Sequence, residues 1–412
     1  MIRLIKYTVF VLALNTLFAF SQTSNYNYRF QLSGITDNWH TIILPNEIYS
    51  IINEDLNDIR IIGITEAKDT LEVPYIINDN ITSYITENIY PEITNRTHVG
   101  NRYFYTIENS SWEKTNTIDL RFENENFDWR VKLEGSNNEN TWYTILNNAR
   151  ILSIKTGNID YSYTTLNFST IRYKYIRLSF NSYIKPELDD VNLLQTIKKK
   201  GVHQTYIPKS ISIKEDKEQK TTTIDVILDK KVPVSAIKIE VKDKFDYYRP
   251  IEIQRLIDSV KTPTGWKSYY DDLTQKYLSS LEGGTFRFDY KLAQIIQIII
   301  SNNDNQPLSI GDITIFGNII NLTARFDQPA NYYLYYGNDN AQYPYYDIGV
   351  FEENIPKNLS ELNIGEEQSL IKEEIPEISE PFINEYWLWG VMAVIILLIG
   401  GFTISMLKNH KE

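Results

Sequence analysis

The feature that most limits the folds open to this chain is a two-residue alternation of apolar and polar side chains, repeated in short segments along most of its length. Residues 102–107, 117–122 and 129–134 are segments of this kind. Asn, Asp and Gly separate the segments, and these residues form tight turns between strands. Short alternating segments with such turns are typical of half-buried strands in sandwiches rather than of βαβ units. The pattern therefore predicts an all-β protein built from β-sandwiches.

The amino-acid composition agrees with this prediction and narrows the possible functions. Among 412 residues there are 30 Tyr and no Cys, and the formal net charge is −12. β-Branched and aromatic residues suit pleated, half-buried surfaces. Without disulfides the fold must be stabilised by ordinary hydrophobic cores, which a chain of this size can form. The acidic balance argues against nucleic acid and against anionic lipid as partners.

The two ends of the chain carry targeting signals. Residues 1–21 combine the positive charges of Arg3 and Lys6 with a short apolar run and small residues before a cleavage point, as in a secretory signal peptide. An uncleaved N-terminal anchor is the alternative. Residues 387–407 contain no charged side chain, and roughly 20 apolar residues suffice to span a bilayer as a helix. Lysines follow this segment and acids precede it, so the positive-inside rule predicts a single-pass type I protein.

Composition and pattern divide the rest of the chain into successive units. The predicted units, in chain order, are a signal peptide (1–21), an N-terminal β module (22–95), a first sandwich (96–185), a linker (186–200), a second sandwich (201–318), a Tyr-rich β segment (319–350), an acidic stalk (351–385), a transmembrane helix (386–407) and a cytoplasmic tail (408–412). The stalk is rich in Glu, which predicts an extended or loosely helical segment without a core. The basic cluster at the end of the linker is interpreted as solvated.

The second sandwich resembles the first closely enough to predict an internal repeat. The paired segments are 117–120 with 223–226, 129–133 with 236–240, 142–144 with 266–268, and 173–180 with 293–300.

The first sandwich resembles discoidin-type domains, also called coagulation-factor type C or galactose-binding-like domains. The resemblance lies in Val131 to Ser136, in Trp142, and in the late strand Arg172 to Arg177, and the second sandwich shares it except for the Gly-Ser pair. It implies tandem jelly-roll β-sandwiches, here followed by a single C-terminal transmembrane helix. It also implies binding through loops at one end of each sandwich, and it favours a structural calcium ion.

The whole chain also resembles a family of bacterial membrane-anchored proteins of unknown function. The marks of this resemblance are Trp39 to Pro45, Asp55 to Arg60, Glu72 to Tyr75, Asn303 to Leu308, Leu334 to Asn338 and Pro344 to Asp347. It implies a location in the cytoplasmic (inner) membrane of a bacterium, with the ectodomain periplasmic or extracellular. It implies no reaction.

No motif in the sequence predicts catalysis. The four His residues are widely separated, so no zinc-ligand spacing appears, and Cys nucleophiles are absent from the composition. Nucleophile elbows, Walker loops and dinucleotide fingerprints are also missing. Paired carboxylates of a glycosidase are set by the fold and leave no spacing to recognise. We therefore expect a protein that is not an enzyme and needs no cofactor, with a structural calcium ion as the alternative left open.

The candidate metal ligands are Asn303, Asp304 and Asp312. Carboxylate and carbonyl oxygens are the ligands that calcium prefers. The alternative is a tight Asn/Asp turn between two strands, which needs no ion.

Aromatic residues supply the candidate ligand-binding positions. Trp112 lies in a turn-like stretch and is the best candidate for an exposed platform, whereas the matched positions of Trp142 and Trp266 in the repeat suggest core packing. Tyr333, Tyr335 and Tyr345 belong to a Tyr-rich run that could form a binding surface. The alternative is an alternating strand with two aromatic faces.

These features predict a non-enzymatic exported binding protein, anchored in a membrane, that recognises glycan or polysaccharide of the cell envelope. The alternative is an accessory or structural subunit of a membrane complex that binds a membrane protein partner. An enzyme acting on cell-wall glycan is a third and more distant hypothesis.

Overall fold

A computed structural model of the chain describes residues 25–157, 159–199, 201–370 and 385–409, and within the last segment it describes side chains for 388–403 only. In these residues the chain forms three β-sandwiches followed by one α-helix. The prediction of an all-β sandwich fold is confirmed at this level. The predicted signal peptide, 1–21, lies outside the described residues.

The N-terminal and C-terminal parts of the chain together form one sandwich, called here the terminal sandwich. One sheet has the strand order β26-β1-β24-β3-β4 and the other the order β25-β2-β23-β5. The strands are β1 (Tyr28–Ser33), β2 (Trp39–Ile43), β3 (Arg60–Ile64), β4 (Thr70–Val73), β5 (Tyr75–Asn78), β23 (Asn321–Arg325), β24 (Asn331–Tyr336), β25 (Ser360–Glu361) and β26 (Asn363–Ser369). Short 3-10 helices occupy Ile48–Ser50 and Asp347–Asn354.

Alternation in β24 shows how the terminal sandwich acquires its core. Tyr332, Leu334 and Tyr336 are buried because successive strand residues point to opposite faces of the sheet. Leu334 lies directly opposite Phe30 of β1, and both side chains belong to the core. Leu322 of the second sheet lies in the same core, so residues far apart in the sequence enclose one apolar interior.

This arrangement differs from the predicted division of the chain. Residues 319–350 and the first half of the predicted stalk, 351–385, share sheets with the N-terminal module. β26 pairs antiparallel with β1, because an edge strand can keep its Glu side chains in solvent while its backbone completes the sheet. The rest of the stalk, 371–384, lies outside the described residues.

The first sandwich consists of two sheets with the orders β12-β11-β10-β14-β8-β7 and β13-β9-β15-β6. Its strands are β6 (Ser83–Ile89), β7 (Glu92–Val99), β8 (Arg102–Glu108), β9 (Thr115–Phe122), β10 (Phe127–Ser136), β11 (Tyr143–Lys155), β12 (Asp160–Tyr163), β13 (Thr165–Ile171), β14 (Tyr175–Asn181) and β15 (Leu188–Lys199). Most of the predicted linker, 186–200, is therefore strand β15, which lies between β9 and β6. It is held there by Leu188, Val191 and Leu193, which point into the core.

The second sandwich is a single sheet that folds over on itself around one core. Its strands are β16 (His203–Tyr206), β17 (Ser210–Asp216), β18 (Thr221–Val241), β19 (Tyr248–Thr262), β20 (Gly265–Ser279), β21 (Thr285–Ser301) and β22 (Ile310–Asn318). The long strands β18 and β21 pair twice, with a break in register between Ile227 and Val232. The break lets each strand bend from one layer into the other, as bulges do at sheet corners.

The pairing of strands revises one segment of the predicted repeat. β14 pairs with β10, whereas residues 295–301 pair with the first half of β18, which corresponds to β9. The second half of β18 corresponds to β10. Its neighbour β22 therefore takes the place that β14 has next to β10. The repeat is thus visible in pairing but not in the match of 293–300 with 173–180.

The first and second sandwiches, called here the inserted sandwiches, both emerge from one pair of neighbouring strands. β5 and β23 are antiparallel, with Asn78 opposite Asn321, so the chain leaves and re-enters the terminal sandwich at the same place. Just beyond β5, the Asn80 side-chain amide donates to the Ile319 carbonyl at 2.7 Å and to Asn321 Oδ1 at 2.6 Å.

A buried arginine ties the second sandwich to the terminal sandwich a second time. Arg255 of β19 donates to Glu54 at 2.6 Å, to Asp271 at 2.9 Å and to the Leu292 carbonyl at 2.9 Å. Its guanidinium therefore bonds groups of both the second and the terminal sandwich. Breaking a buried pair of this kind would leave an unpaired charge.

The C-terminal helix α1 (Glu385–Asn409) coincides with the predicted membrane-spanning segment. Among the helical residues with described side chains, we find no stretch of sufficient length and apolarity to cross a bilayer.

Cross-linking tests the pairing of the two chain ends. Gln31 and Tyr333 are directly opposite one another in β1 and β24, where Cβ atoms lie about 4.5–5.5 Å apart, close to the span of a disulfide. Because the chain has no cysteine, the double variant Gln31→Cys/Tyr333→Cys should form one internal disulfide on mild oxidation, detected as faster migration on a non-reducing gel. The matched control Gln31→Cys/Tyr143→Cys should not. Formation of intermolecular dimers alone by the first variant would contradict the pairing.

Candidate functional site

Trp112 lies in the loop between β8 and β9 and is 50% exposed. Its backbone has φ 53°, the left-handed conformation that few non-glycine residues adopt. Asn109 supports the loop by donating its side-chain amide to the Glu113 carbonyl at 2.9 Å. The Arg172 guanidinium lies 4.7 Å from the centre of the indole and donates to the Trp112 carbonyl at 3.0 Å. Arg172 therefore already occupies a ring face that a ligand would need.

The predicted tyrosines separate into buried and exposed positions. Tyr335 is buried and receives a 3.1 Å hydrogen bond from Arg29, whose guanidinium lies 4.2 Å over the ring of half-buried Tyr333. Tyr345 is 92% exposed and lines a shallow surface cleft beside Tyr346. The structure does not bring these residues into one site with Trp112.

The predicted calcium ligands also have other roles in the structure. Asn303 occupies the left-handed region with φ 53°, in the turn that follows β21. The exposed Asp304 carboxylate accepts a hydrogen bond from Lys220, which lowers the pKa of Asp304. Asp312 lies in β22. Within the described part of the chain, no three His, Cys, Asp or Glu side chains form a group that could hold a metal ion.

The residues that resemble discoidin domains form a packed cluster on the first sandwich. A side chain at Gly135 would overlap the ring of Tyr173, so glycine is required at this contact. Arg177 stacks 4.0 Å over Trp142 and donates to the buried carboxylate of Glu134 at 2.9 Å. Burial alone would raise the pKa of Glu134, but hydrogen bonds from Lys132 and Arg177 outweigh burial and the pKa lies below its usual range.

The matched tryptophan of the second sandwich behaves differently. Trp266 is 70% exposed near the tip of the β19–β20 hairpin, where it lies opposite Lys261. The expectation of core packing is wrong for Trp266, because the hairpin extends beyond the sandwich and leaves its side chains without a facing layer.

A cavity lies where the two inserted sandwiches meet, and we call it the inter-sandwich cleft. It has a volume of about 460 Å³, within the usual range of small-ligand sites. Its walls come from the start of the first sandwich, the end of β15 and the outer face of β18, β21 and β22. The lining residues used below are Tyr84, Lys198, His203, Ser235, Lys238, Arg287, Phe288, Asp289, Phe316 and Asn318.

Asn318 forms the polar floor of the cleft and is 1% exposed. Its Oδ1 accepts from Ser235 Oγ at 2.8 Å and lies 3.1 Å from His203 Nδ1. The other ring nitrogen of His203 lies 2.5 Å from the Thr82 hydroxyl, which fixes the imidazole. No described residue is a hydrogen-bond partner for the Nδ2 atom of Asn318. Whichever way the amide is turned, one of its two polar atoms remains unsatisfied, and a buried group in this state is costly unless a ligand completes it.

Local backbone geometry places these floor residues. The register between β18 and β21 shifts between Val234 and Ala236, so Ser235 and Ala236 both line the cleft instead of alternating. A side chain at Gly317 would overlap the Pro233 carbonyl, so β22 can approach β18 closely only with glycine there. This close approach brings Asn318 within hydrogen-bonding distance of Ser235.

The walls of the cleft combine aromatic rings with charge. Tyr84, Phe288 and Phe316 supply the apolar surface. Lys198 lies opposite Tyr84 across the β15–β6 pair, with its ammonium 5.9 Å from the ring centre. In the described part of the chain, Lys198, Lys238 and Arg287 form no ion pair.

Sequence reasoning did not find this cleft. Lys198 was interpreted as part of a solvated linker, and His203 as one of four scattered histidines. The alternation of Arg287, Asp289 and the apolar residues around them was a usable signal of a charged strand face. Nothing in the sequence signals Asn318, because its role depends on the register shift at Ser235.

Comparisons with known proteins add little to this picture. No protein-family model matches the chain, and no curated protein matches it. Among solved structures, a glycoside hydrolase family 29 member from an unknown rumen bacterium is 11% identical over 54% of this chain and 40% of its own, with a TM-score of 0.19. This chain therefore spans less than half of that hydrolase.

Two further solved structures are also similar to this chain. The CBM32-1 and CBM32-2 domains of Clostridium perfringens ZmpB are 8% identical over 70% of this chain and 94% of theirs, with a TM-score of 0.21. An F-lectin (fucolectin) from striped bass (Morone saxatilis) serum is 12% identical over 60% of this chain and 99% of its own, with a TM-score of 0.18. These scores are too low to carry an argument about the fold or the ligand of this chain.

Proposed function

We propose that this chain is a non-catalytic, exported, membrane-anchored protein that binds glycan in the inter-sandwich cleft. The observation that carries the proposal is the buried, unpartnered amide of Asn318 at the floor of a preformed cavity with aromatic walls. A sugar ring presents apolar C–H faces and hydroxyl edges. Aromatic side chains suit the faces, and convergent polar groups suit the hydroxyls.

The polar groups of the cleft are suited to bind the hydroxyls of a sugar. Ser235 and Asn318 lie at the floor, while Asp289 can accept from hydroxyls at the wall. Among the described residues that line the cleft, Asp289 is the single carboxylate. Glycoside hydrolysis ordinarily uses a pair of carboxylates, so this lining favours binding over cleavage. Trp112, Tyr333, Tyr335 and Tyr345 stay predictions as ligand contacts, and a structural calcium ion also stays a prediction.

The variant Asn318→Asp tests the floor of the cleft. Aspartate keeps the shape and can still accept from Ser235 and His203, but it removes the amide donors and adds a negative charge. We expect binding of the full-length chain, in detergent micelles, to immobilised cell-envelope polysaccharides to weaken by about tenfold or more, as for loss of one buried hydrogen bond to a ligand. The control Asn340→Asp changes an exposed turn residue and should bind normally. Wild-type binding by Asn318→Asp, or no binding by the wild-type chain to any polysaccharide, would contradict the proposal.

A second candidate function is that of an accessory subunit of a membrane complex. It is favoured by four exposed apolar or aromatic side chains close together in the chain, at Tyr343, Tyr345, Val350 and Phe351. Contiguous exposed apolar surface is typical of interaction sites.

Membrane extraction tests the anchor and separates the two functions. The anchoring proposal rests on residues 387–407, which lack charged side chains. Alkaline carbonate should leave the full chain in the membrane pellet and release a chain that ends at residue 384. Release of both would contradict anchoring. Affinity purification from the same membranes should recover the chain without a stoichiometric protein partner, and a stoichiometric partner would favour the accessory-subunit function instead.

A further inference from the structure

The inter-sandwich cleft is rich in positive charge, although the whole chain is acidic. The net charge of the chain is −12, yet three cations and one carboxylate line the cleft. The cations come from three different strands, since Lys198 belongs to β15, Lys238 to β18 and Arg287 to β21. A chance basic run along one strand would not converge in this way.

Two of the cations are close neighbours on one sheet face. Ala236 lies opposite Arg287, and Lys238 lies opposite Thr285, across the β18–β21 pair. Lys238 and Arg287 are therefore diagonal neighbours, at a backbone separation of about 7–8 Å, which long side chains can bridge. Like charges at this spacing repel one another unless an anion lies between them.

In the described part of the chain, no carboxylate is paired with Lys238 or Arg287. Several other cations of the described chain are paired, as Arg150 is with Asp128 and Asp246, and Arg177 is with Glu134. Lys198, Lys238 and Arg287 form no ion pair, although Asp289 is only two residues from Arg287 in the same strand. The guanidinium of Arg287 is thus free to bind a carboxylate or sulfate through two parallel hydrogen bonds.

We infer that the inter-sandwich cleft binds an acidic glycan, in which a carboxylate or sulfate on the sugar lies between Lys238 and Arg287 while Asn318 bonds a ring hydroxyl. This inference rests on the proposed function and specifies its ligand class. The aromatic walls and the floor amide distinguish a sugar from a simple anion. The negative charge of the rest of the chain repels long polyanions elsewhere, so attraction is confined to the cleft.

The experiment compares each acidic polysaccharide with its uncharged form. Full-length chain in detergent micelles is titrated calorimetrically with polygalacturonate and its carboxyl-reduced form, and with chondroitin sulfate and its desulfated, carboxyl-reduced form. In at least one pair the acidic form should bind at least tenfold more tightly, and its affinity should fall as salt is raised. Lys238→Gln and Arg287→Gln should each lower the affinity for the acidic form by about tenfold and lower the affinity for the uncharged form much less. Lys244→Gln, an exposed lysine that does not line the cleft, is the charge-matched control and should bind normally.

The outcomes separate this inference from the proposed function. Equal affinity for the charged and uncharged forms would overturn the acidic ligand but leave glycan binding intact. Failure to bind either acidic form would overturn the acidic ligand, and failure to bind the immobilised cell-envelope polysaccharides as well would overturn the proposed function. Single-stranded DNA of similar charge serves as a probe for binding by charge alone. If it binds as tightly as the acidic glycan and is equally weakened by Arg287→Gln, the assignment of a sugar ligand is overturned.

Discussion

The antiparallel pairing of β5 with β23 is the contact on which the rest of the structure depends. Because Asn78 lies opposite Asn321, both inserted sandwiches begin and end at one edge of the terminal sandwich. The segment that leaves β5 contributes Thr82 and Tyr84 to the inter-sandwich cleft, and the segment that enters β23 contributes Asn318. The cleft is thus a direct consequence of this strand pair. The backbone hydrogen bonds between β5 and β23 in the terminal sandwich bring the two walls of the cleft together. Loops of the two inserted sandwiches do not form this connection.

A second tie holds the second sandwich to the terminal sandwich. Arg255 joins the second sandwich to Glu54 of the terminal sandwich, and Leu292, whose carbonyl also accepts from Arg255, packs in the core of the terminal sandwich. Two attachments at separate points restrict rotation of the second sandwich, as a single covalent connection would not. A preformed site avoids part of the ordering cost of binding. An unsatisfied amide such as that of Asn318 is tolerable where a bound ligand can supply the missing hydrogen bond, as we propose here.

Local pattern could predict the strands, but not which strands pair. The Tyr-rich strand β24 was predicted from the sequence, and Tyr332, Leu334 and Tyr336 on one face are buried, as is Tyr335 on the other. Nothing local indicates that this strand pairs with β1, because the pairing depends on the shared core of segments separated by the whole insertion. For the same reason β15 resembled a linker, and Trp266 was expected in a core that its hairpin does not reach. Trp112 is exposed as expected, but the contact from Arg172 was not predictable.

Side-chain footprinting of the full-length chain is the most direct test of the claim that ligand lies between the inserted sandwiches. Hydroxyl radicals oxidise accessible aromatic rings, and Tyr84, Trp112, Trp266 and Tyr345 are all exposed in the free protein. With the tightest-binding acidic glycan present, we expect oxidation of Tyr84 to fall strongly while oxidation of the other three stays unchanged. Protection of Trp112 or Tyr345 without protection of Tyr84 would place the ligand elsewhere and contradict the account.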